Sequence, residues 1–149
     1  MSHRVYVVED HPVVREAFTH LIDSSEDFEV VGSAESAEAA LKDLATLDAE
    51  IAVVDVSLAG SGERTHGIYL TEQLRRLWPR LRVLVVSGHD ERVYAEPALA
   101  AGARGYLMKH EAAPGLISAL TRVLGGEVVL SARMQQALPE ALRTPLPAL

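Results

Sequence analysis

Five short runs of consecutive aliphatic residues punctuate the chain: Arg4 to Val8, Phe28 to Gly32, Ile51 to Asp55, Arg82 to Ser87 and Arg104 to Met108. Between them, apolar positions repeat every three or four residues. The runs predict strands, and their continuity predicts burial on both faces. Strands covered on both sides belong to parallel sheets, whose crossovers are right-handed helices.

The gaps between the runs predict those helices. Pro12 stands where a first helical residue tolerates proline, and Val13, Ala17, Phe18, Leu21 and Ile22 follow at helical spacing as an expected buried face. Ser36 predicts an N-cap, with Ala37, Ala40, Leu41, Leu44 and Leu47 facing the core. A third helix is expected from Gly67 through Leu70, Leu74 and Leu77, ended by Pro79. The fourth, around 91–101, contains Pro97; an interior proline costs about 3 kcal/mol, which predicts a kink or a late start. A fifth is expected at about 114–124, stopped by Gly125-Gly126. Residues 131–142 predict one more short helix, and TPLPAL reads as a frayed tail.

The resulting expectation is an α/β fold, a doubly wound five-stranded parallel sheet in residues 1–126. Residues 127–149 form a C-terminal extension, a short helix with a tail or linker remnant. In such sheets ligands bind beyond the carboxyl ends of the strands. Glu9 and Asp10 stand after the first run, Asp55 after the third, Ser87 after the fourth and Lys109 after the fifth. The second run ends without an obvious polar group.

That arrangement carries chemistry. Carboxylates converging on one edge repel by on the order of 4 kcal/mol per pair at 4 Å and an effective dielectric near 20. A hard divalent cation offsets the repulsion, and Mg²⁺ takes one or two carboxylates together with waters and a phosphate oxygen. Lys109 adds a second positive charge. Asp55 is the natural nucleophile, because a carboxylate that attacks phosphorus becomes an acyl phosphate. Ser87 is placed to hydrogen-bond a phosphoryl oxygen, which completes the parts needed for phosphoryl transfer.

Composition narrows the alternatives. The 149 residues carry 14 basic and 21 acidic groups, a net charge of −7, which argues against a surface built for nucleic acid or an anionic membrane. Cysteine is absent, so disulfides, thiolate metal sites and thiol nucleophiles are excluded. Acids at positions 9 and 10 interrupt any signal-peptide core, and no apolar run approaches a membrane span; a cytoplasmic protein is expected. His11, His66, His89 and His110 lack ligand spacing for a metal site.

The stretches VVEDHPVVREAF, IAVVDVSL, VLVVSGH and AGARGYLMK resemble, in order and spacing, a bacterial two-component response regulator receiver domain. The likeness runs over roughly residues 3–126. DHPVVREA, GARGYLMK and the following GGEVVLS are most similar to the NarL/FixJ (LuxR-type) branch. This resemblance implies a (βα)5 flavodoxin-like fold in which Asp55 accepts a phosphoryl group from a histidine kinase. Glu9, Asp10 and Asp55 would hold Mg²⁺ with the carbonyl of Ser57. Ser87 would follow the phosphoryl group, Lys109 would pair with it, and Tyr106 corresponds to the family's switch aromatic. The same resemblance implies transcription regulation and a homodimer.

The chain also departs from the family pattern. Ala59 replaces a usual proline four residues after the acceptor, and Gly67 follows only after SGERTH, an insertion of about four residues. His110 follows Lys109 where many receivers have proline, and Pro97 interrupts the helix that receivers of this kind use for output. The helix-turn-helix of LuxR-type regulators does not follow, so the expectation is a stand-alone or a truncated receiver with no direct nucleic-acid binding. A receiver-like module that no longer uses phosphate is the alternative. A Mg²⁺-dependent phosphohydrolase would need a second Asp two residues beyond the nucleophile, where Ser57 stands. A dinucleotide site fails because no G-x-G-x-x-G follows the first run. His89 and Ser57 each lie two residues from a key group and are candidates to flank the water that hydrolyses the acyl phosphate.

Overall fold

All five expected strands form and pair in parallel, in the order β2-β1-β3-β4-β5. The computed structural model describes residues 2–58 and 66–148. The strands are β1 (His3–Val8), β2 (Phe28–Ala34), β3 (Ile51–Val54), β4 (Arg82–Ser87) and β5 (Gly105–Met108). The helices are α1 (Pro12–Asp23), α2 (Ala37–Leu44), α3 (His66–Leu77), α4 (Glu91–Ala100), α5 (Lys109–Leu124) and α6 (Ala132–Ala137), followed by a 3-10 turn at Glu140–Arg143. This is a five-stranded parallel sheet with helices on both sides, a flavodoxin-like fold. The chain reverses its direction of sheet growth between β1 and β3, the crevice in which such sheets place their sites.

The alternation of side chains along each strand divides the core in two. Tyr6, Val8, Ala52, Val54, Val83 and Val85 face α2, α3 and α4. Val5, Val7, Ile51, Val53, Leu84 and Val86 face α1 and α5. Aliphatic residues on consecutive positions are therefore required, because both faces are covered. The edge strand β2 departs from that expectation: Glu29 and Ser33 are exposed. A register shift between Val5 and Tyr6 brings Gly32 opposite Tyr6, where an added Cβ would lie 2.9 Å from the tyrosine ring. Glycine leaves room for that ring, whose hydroxyl donates to Asp43 Oδ2 at 2.7 Å.

Ser36 caps α2 by accepting from the Ala39 amide, as its position predicts. Several finer expectations are corrected. In α1, Val13 and Ala17 are exposed and the buried side chains are Phe18 and Ile22, because the helix turns only one narrow stripe to the sheet. Leu77 at the end of α3 is likewise exposed. α4 does not start late: Asp90 caps it through the Arg92 amide, and Pro97 sits inside the helix. α5 begins at Lys109, five residues before its expected start, and includes Pro114. Packing of Ala112, Leu116, Ala119 and Leu120 on the sheet outweighs the lost backbone bond.

The expected frayed tail is instead held in place. Leu146 donates its amide to Gly126 O at 2.9 Å, Arg104 donates to Thr144 O at 2.6 Å, and Arg82 donates to Pro147 O. Gly126 has φ +97°, and a Cβ there would strike Leu146 O. Upstream, Met134 and Leu138 join the core beside α4, and Ser131 donates to Glu91 Oε1 at 2.9 Å. No helix among the described residues is long and apolar enough to cross a membrane.

Candidate functional site

Five of the expected site residues, Glu9, Asp10, Asp55, Ser87 and Lys109, lie at the carboxyl edge of the sheet, each delivered by the end of a strand. Glu9 and Asp10 follow β1, Asp55 follows β3, Ser87 closes β4 and Lys109 follows β5 as the first residue of α5. The backbone fixes the first two strand ends: Glu9 N donates to Ala34 O and Asp55 N to Val8 O. His11 N donates to Glu9 Oε2 at 3.1 Å, and Arg15 donates to Glu9 O at 2.9 Å, so the start of α1 locks the acid pair. Pro12 makes that turn possible by starting the helix without an amide to satisfy.

Lys109 Nζ lies 2.8 Å from Glu9 Oε1 and 3.3 Å from Asp55 Oδ2. Glu9 is fully buried and Asp55 is 3% exposed. Ser57 donates its amide to Asp55 Oδ1 at 3.3 Å. Ser87 is buried, and its Oγ accepts the His89 amide at 2.9 Å. Tyr106 is also buried, with its hydroxyl donating to His89 O at 2.8 Å. Both residues expected to switch thus hold His89, one through its amide and the other through its carbonyl.

Burial raises the Asp55 carboxyl to about 6, helped by the charge of Glu9 and opposed by Lys109. Burial acts the same way on Glu9, but Lys109 and the His11 amide overcome it and hold Glu9 below its ordinary value. Asp10 is raised by burial and by its contact with Glu9. Lys109 is raised: burial works against its charge, and the two carboxylates outweigh it. Burial pushes Tyr106 up to about 12, so it remains a donor.

Two oxygens of this cluster stand out. Glu9 Oε1 and Asp10 Oδ1 are buried, and their nearest charged neighbours are the Lys109 ammonium at 2.8 Å and the ring Nδ1 of His11 at 3.2 Å. Buried carboxylate oxygens are costly to leave without a donor or a cation. Ligand atoms of Glu9, Asp10, His11 and Asp55 all lie within 4.8 Å of one another. An oxygen-rich set of this kind fits Mg²⁺.

The sequence reading passed over two residues here. His11 is two-thirds exposed, yet its Nδ1 reaches Asp10 Oδ1 at 3.2 Å and Glu9 Oε2 at 3.3 Å. Its place directly after an acid pair was the available signal. Gly67, expected as the start of the third helix but given no part in the site, donates its amide to Val56 O, and a Cβ on it would lie 1.8 Å from Asp55 O. Only glycine allows α3 to start against the acceptor. The replaced position Ala59 and the inserted residues before His66 lie outside the described residues.

Residues 5–121 match the response regulator receiver domain. The chain belongs to that family. This receiver is 33% identical over 141 residues to the nitrate/nitrite response regulator protein NarL of Escherichia coli, covering 93% of this chain and 62% of that protein. It is 31% identical over 135 residues to the response regulator GacA of Pseudomonas aeruginosa, covering 91% of this chain and 61% of that one. The receiver therefore spans about three-fifths of the length of these relatives. The crystal structure of a LuxR-family two-component response regulator from Aurantimonas sp. superimposes with a TM-score of 0.83 at 30% identity, covering 95% of this chain and 98% of that one. The receiver is thus a signalling domain of the two-component type, in a branch whose members include transcription regulators.

Proposed function

We propose that this receiver accepts a phosphoryl group on Asp55 from the phosphohistidine of a sensor kinase. The observation that carries this reading is the convergence of Glu9, Asp10, Asp55 and Lys109 on one buried edge, three carboxylates served by a single lysine. An Asp55 oxygen attacks phosphorus, an O–P bond forms, and the N–P bond of the donor breaks. The imidazole leaves with the electron pair and takes up a proton from solvent.

Glu9, Asp10 and Asp55, with the Ser57 carbonyl, would hold Mg²⁺, which supplies positive charge beside the phosphoryl oxygens. Lys109 pairs with the same oxygens, and it already spans Glu9 and Asp55. Ser87 turns its hydroxyl toward the phosphoryl group and in doing so releases the His89 amide. Tyr106 keeps its bond to His89 O and carries the displacement into α4, whose cap Asp90 is the next residue. The change is a shift between two populated arrangements of the 87–90 loop. The domain acts as a self-phosphorylating acceptor, not a turnover enzyme.

In this reading residues 1–126 are the receiver and 127–149 an extension, the setting is cytoplasmic, and the output regulates transcription through protein contacts, with a homodimer as one form. The test is intact-mass measurement after incubation with Mg²⁺ and acetyl phosphate, on the parent protein and on Asp55→Asn. A gain of one phosphoryl group that the variant does not show supports the reading. No gain in the parent overturns it in favour of a receiver-like module independent of phosphate.

A further inference from the structure

At the opposite edge of the sheet, beside β4 and β5, three arginines gather around one cavity. Arg75, Arg82 and Arg104 line one cavity of about 290 Å³, closed on one side by Leu142 and Leu146 of the C-terminal segment. Arg82 is only 7% exposed. Each guanidinium is bonded to carbonyl oxygens alone: Arg75 to Ala100 O, Arg82 to Val123 O, Leu124 O and Pro147 O, and Arg104 to Thr144 O. Among the described residues no carboxylate lies within ion-pair distance of any of the three. Arg104 Nε is buried and has no partner.

Such a cluster is unexpected in a chain of net charge −7. A buried cation such as Arg82 is ordinarily paired, because desolvation without a counter-charge costs several kcal/mol. Arg82 and Arg104 are each held below the ordinary arginine value by burial, and Arg104 also by the charge of Arg82. Carbonyl dipoles satisfy single N–H groups but leave the charges uncancelled. The backbone also makes room for the third arginine: Gly102 has φ +116°, and a Cβ there would lie 2.5 Å from Arg75 Cδ.

We propose that this cavity is an oxyanion site for a phosphate group, inorganic or carried as a phosphomonoester. The guanidinium fork matches phosphate oxygens in pairs, and three arginines balance a dianion better than they balance a monocarboxylate. Arg104, one of the residues lining the cavity, keeps an Nε donor that is buried and has no partner. The site is independent of the Asp55 edge: Arg82 opens β4 and Ser87 closes it, a separation of about 16 Å at the rise of a parallel strand. Occupancy would tie β4, β5 and the C-terminal segment together through Arg82 and Arg104.

The experiment is an amide-resolved NMR titration of the full chain with sodium phosphate, without Mg²⁺ and at constant ionic strength, repeated with glycerol 3-phosphate. Saturating shifts at Gly102, Arg104 and Gly126 are expected, weakened about tenfold in Arg104→Gln and in Arg75→Gln. Arg75 is exposed, so its variant keeps the test readable if Arg104→Gln unfolds. Tighter binding of glycerol 3-phosphate assigns a phosphomonoester; equal or weaker binding assigns inorganic phosphate. Shifts that do not saturate, that appear only around Gly88 and Lys109, or that survive both substitutions would overturn the proposal and leave the arginines as clamps for the tail.

Discussion

Lys109 Nζ sits 2.8 Å from the buried Glu9 Oε1, a contact that joins the first strand end to the last across three intervening strand junctions. The same ammonium reaches Asp55 at 3.3 Å, so one cation compensates two carboxylates. Lys109→Gln leaves both acids facing each other. Urea denaturation at pH 7 is expected to show a loss of about 2 kcal/mol, less than for a fully enclosed pair because the lysine side chain is one-quarter exposed. Unchanged stability would show that the pair is screened by water.

The raised carboxyl of Asp55 makes stability depend on pH. Its folded value of about 6 lies above the 3.8 of an unperturbed aspartate, so the unfolded chain releases this proton first. The contribution of Asp55 to stability is complete below pH 4 and is lost as pH rises through 6. In metal-free buffer Asp55→Asn removes that loss. The variant is expected to match the parent at pH 4 and to exceed it by on the order of 2 kcal/mol at pH 7, as measured by denaturant midpoints across that range.

Mg²⁺ should act in the opposite direction to that repulsion. At a concentration one hundred times its dissociation constant a ligand bound only by the native state adds about 2.7 kcal/mol, several degrees in Tm for a chain of this size. Calorimetry is expected to show this rise in the parent and little of it in Asp10→Asn. An equal rise in both proteins would place the ion elsewhere.

Gly67 stands against the acceptor's own backbone, where a Cβ would lie 1.8 Å from Asp55 O. Gly67→Ala must push α3 away from β3 or shift Asp55. A loss of at least about 2 kcal/mol is expected, together with slower phosphorylation by acetyl phosphate, read by intact mass over time. A variant with parental stability and rate would mean that the start of α3 yields at no cost.

Tyr106 donates to His89 O from a buried position. Tyr106→Phe is expected to cost about 1 kcal/mol, the net worth of one hydrogen bond, while leaving the rate of Asp55 phosphorylation within twofold. A large fall in that rate would move Tyr106 from the switch into the acceptor machinery.

Much of this protein was legible in its sequence for a simple reason. Aliphatic residues on consecutive positions can be buried on both faces only in a parallel sheet, so Ile51 to Val54 and Val83 to Val86 identify their own environment. Polar residues that end such runs must emerge at the carboxyl edge, which brings Glu9, Asp10, Asp55, Ser87 and Lys109 to one place before any coordinate is known. Local chemistry also settled Ser36 as a cap, because capping involves only the next few amides.

What remained depended on contacts between residues far apart in the chain. Whether Val13 and Ala17 lie under the sheet or outside it depends on a rotation of α1 that the periodicity leaves open by one position. The early start of α5 and the helical setting of Pro97 and Pro114 reflect tertiary packing that exceeds local propensity. The tail was misread because TPLPAL has no local structure of its own; its order comes from Arg82, Arg104 and Gly126, 20 or more residues away. The arginine cavity has the same origin. Sequence separates Arg75, Arg82 and Arg104, and only the closing of α3, β4 and β5 on one another gathers their charges in a single space.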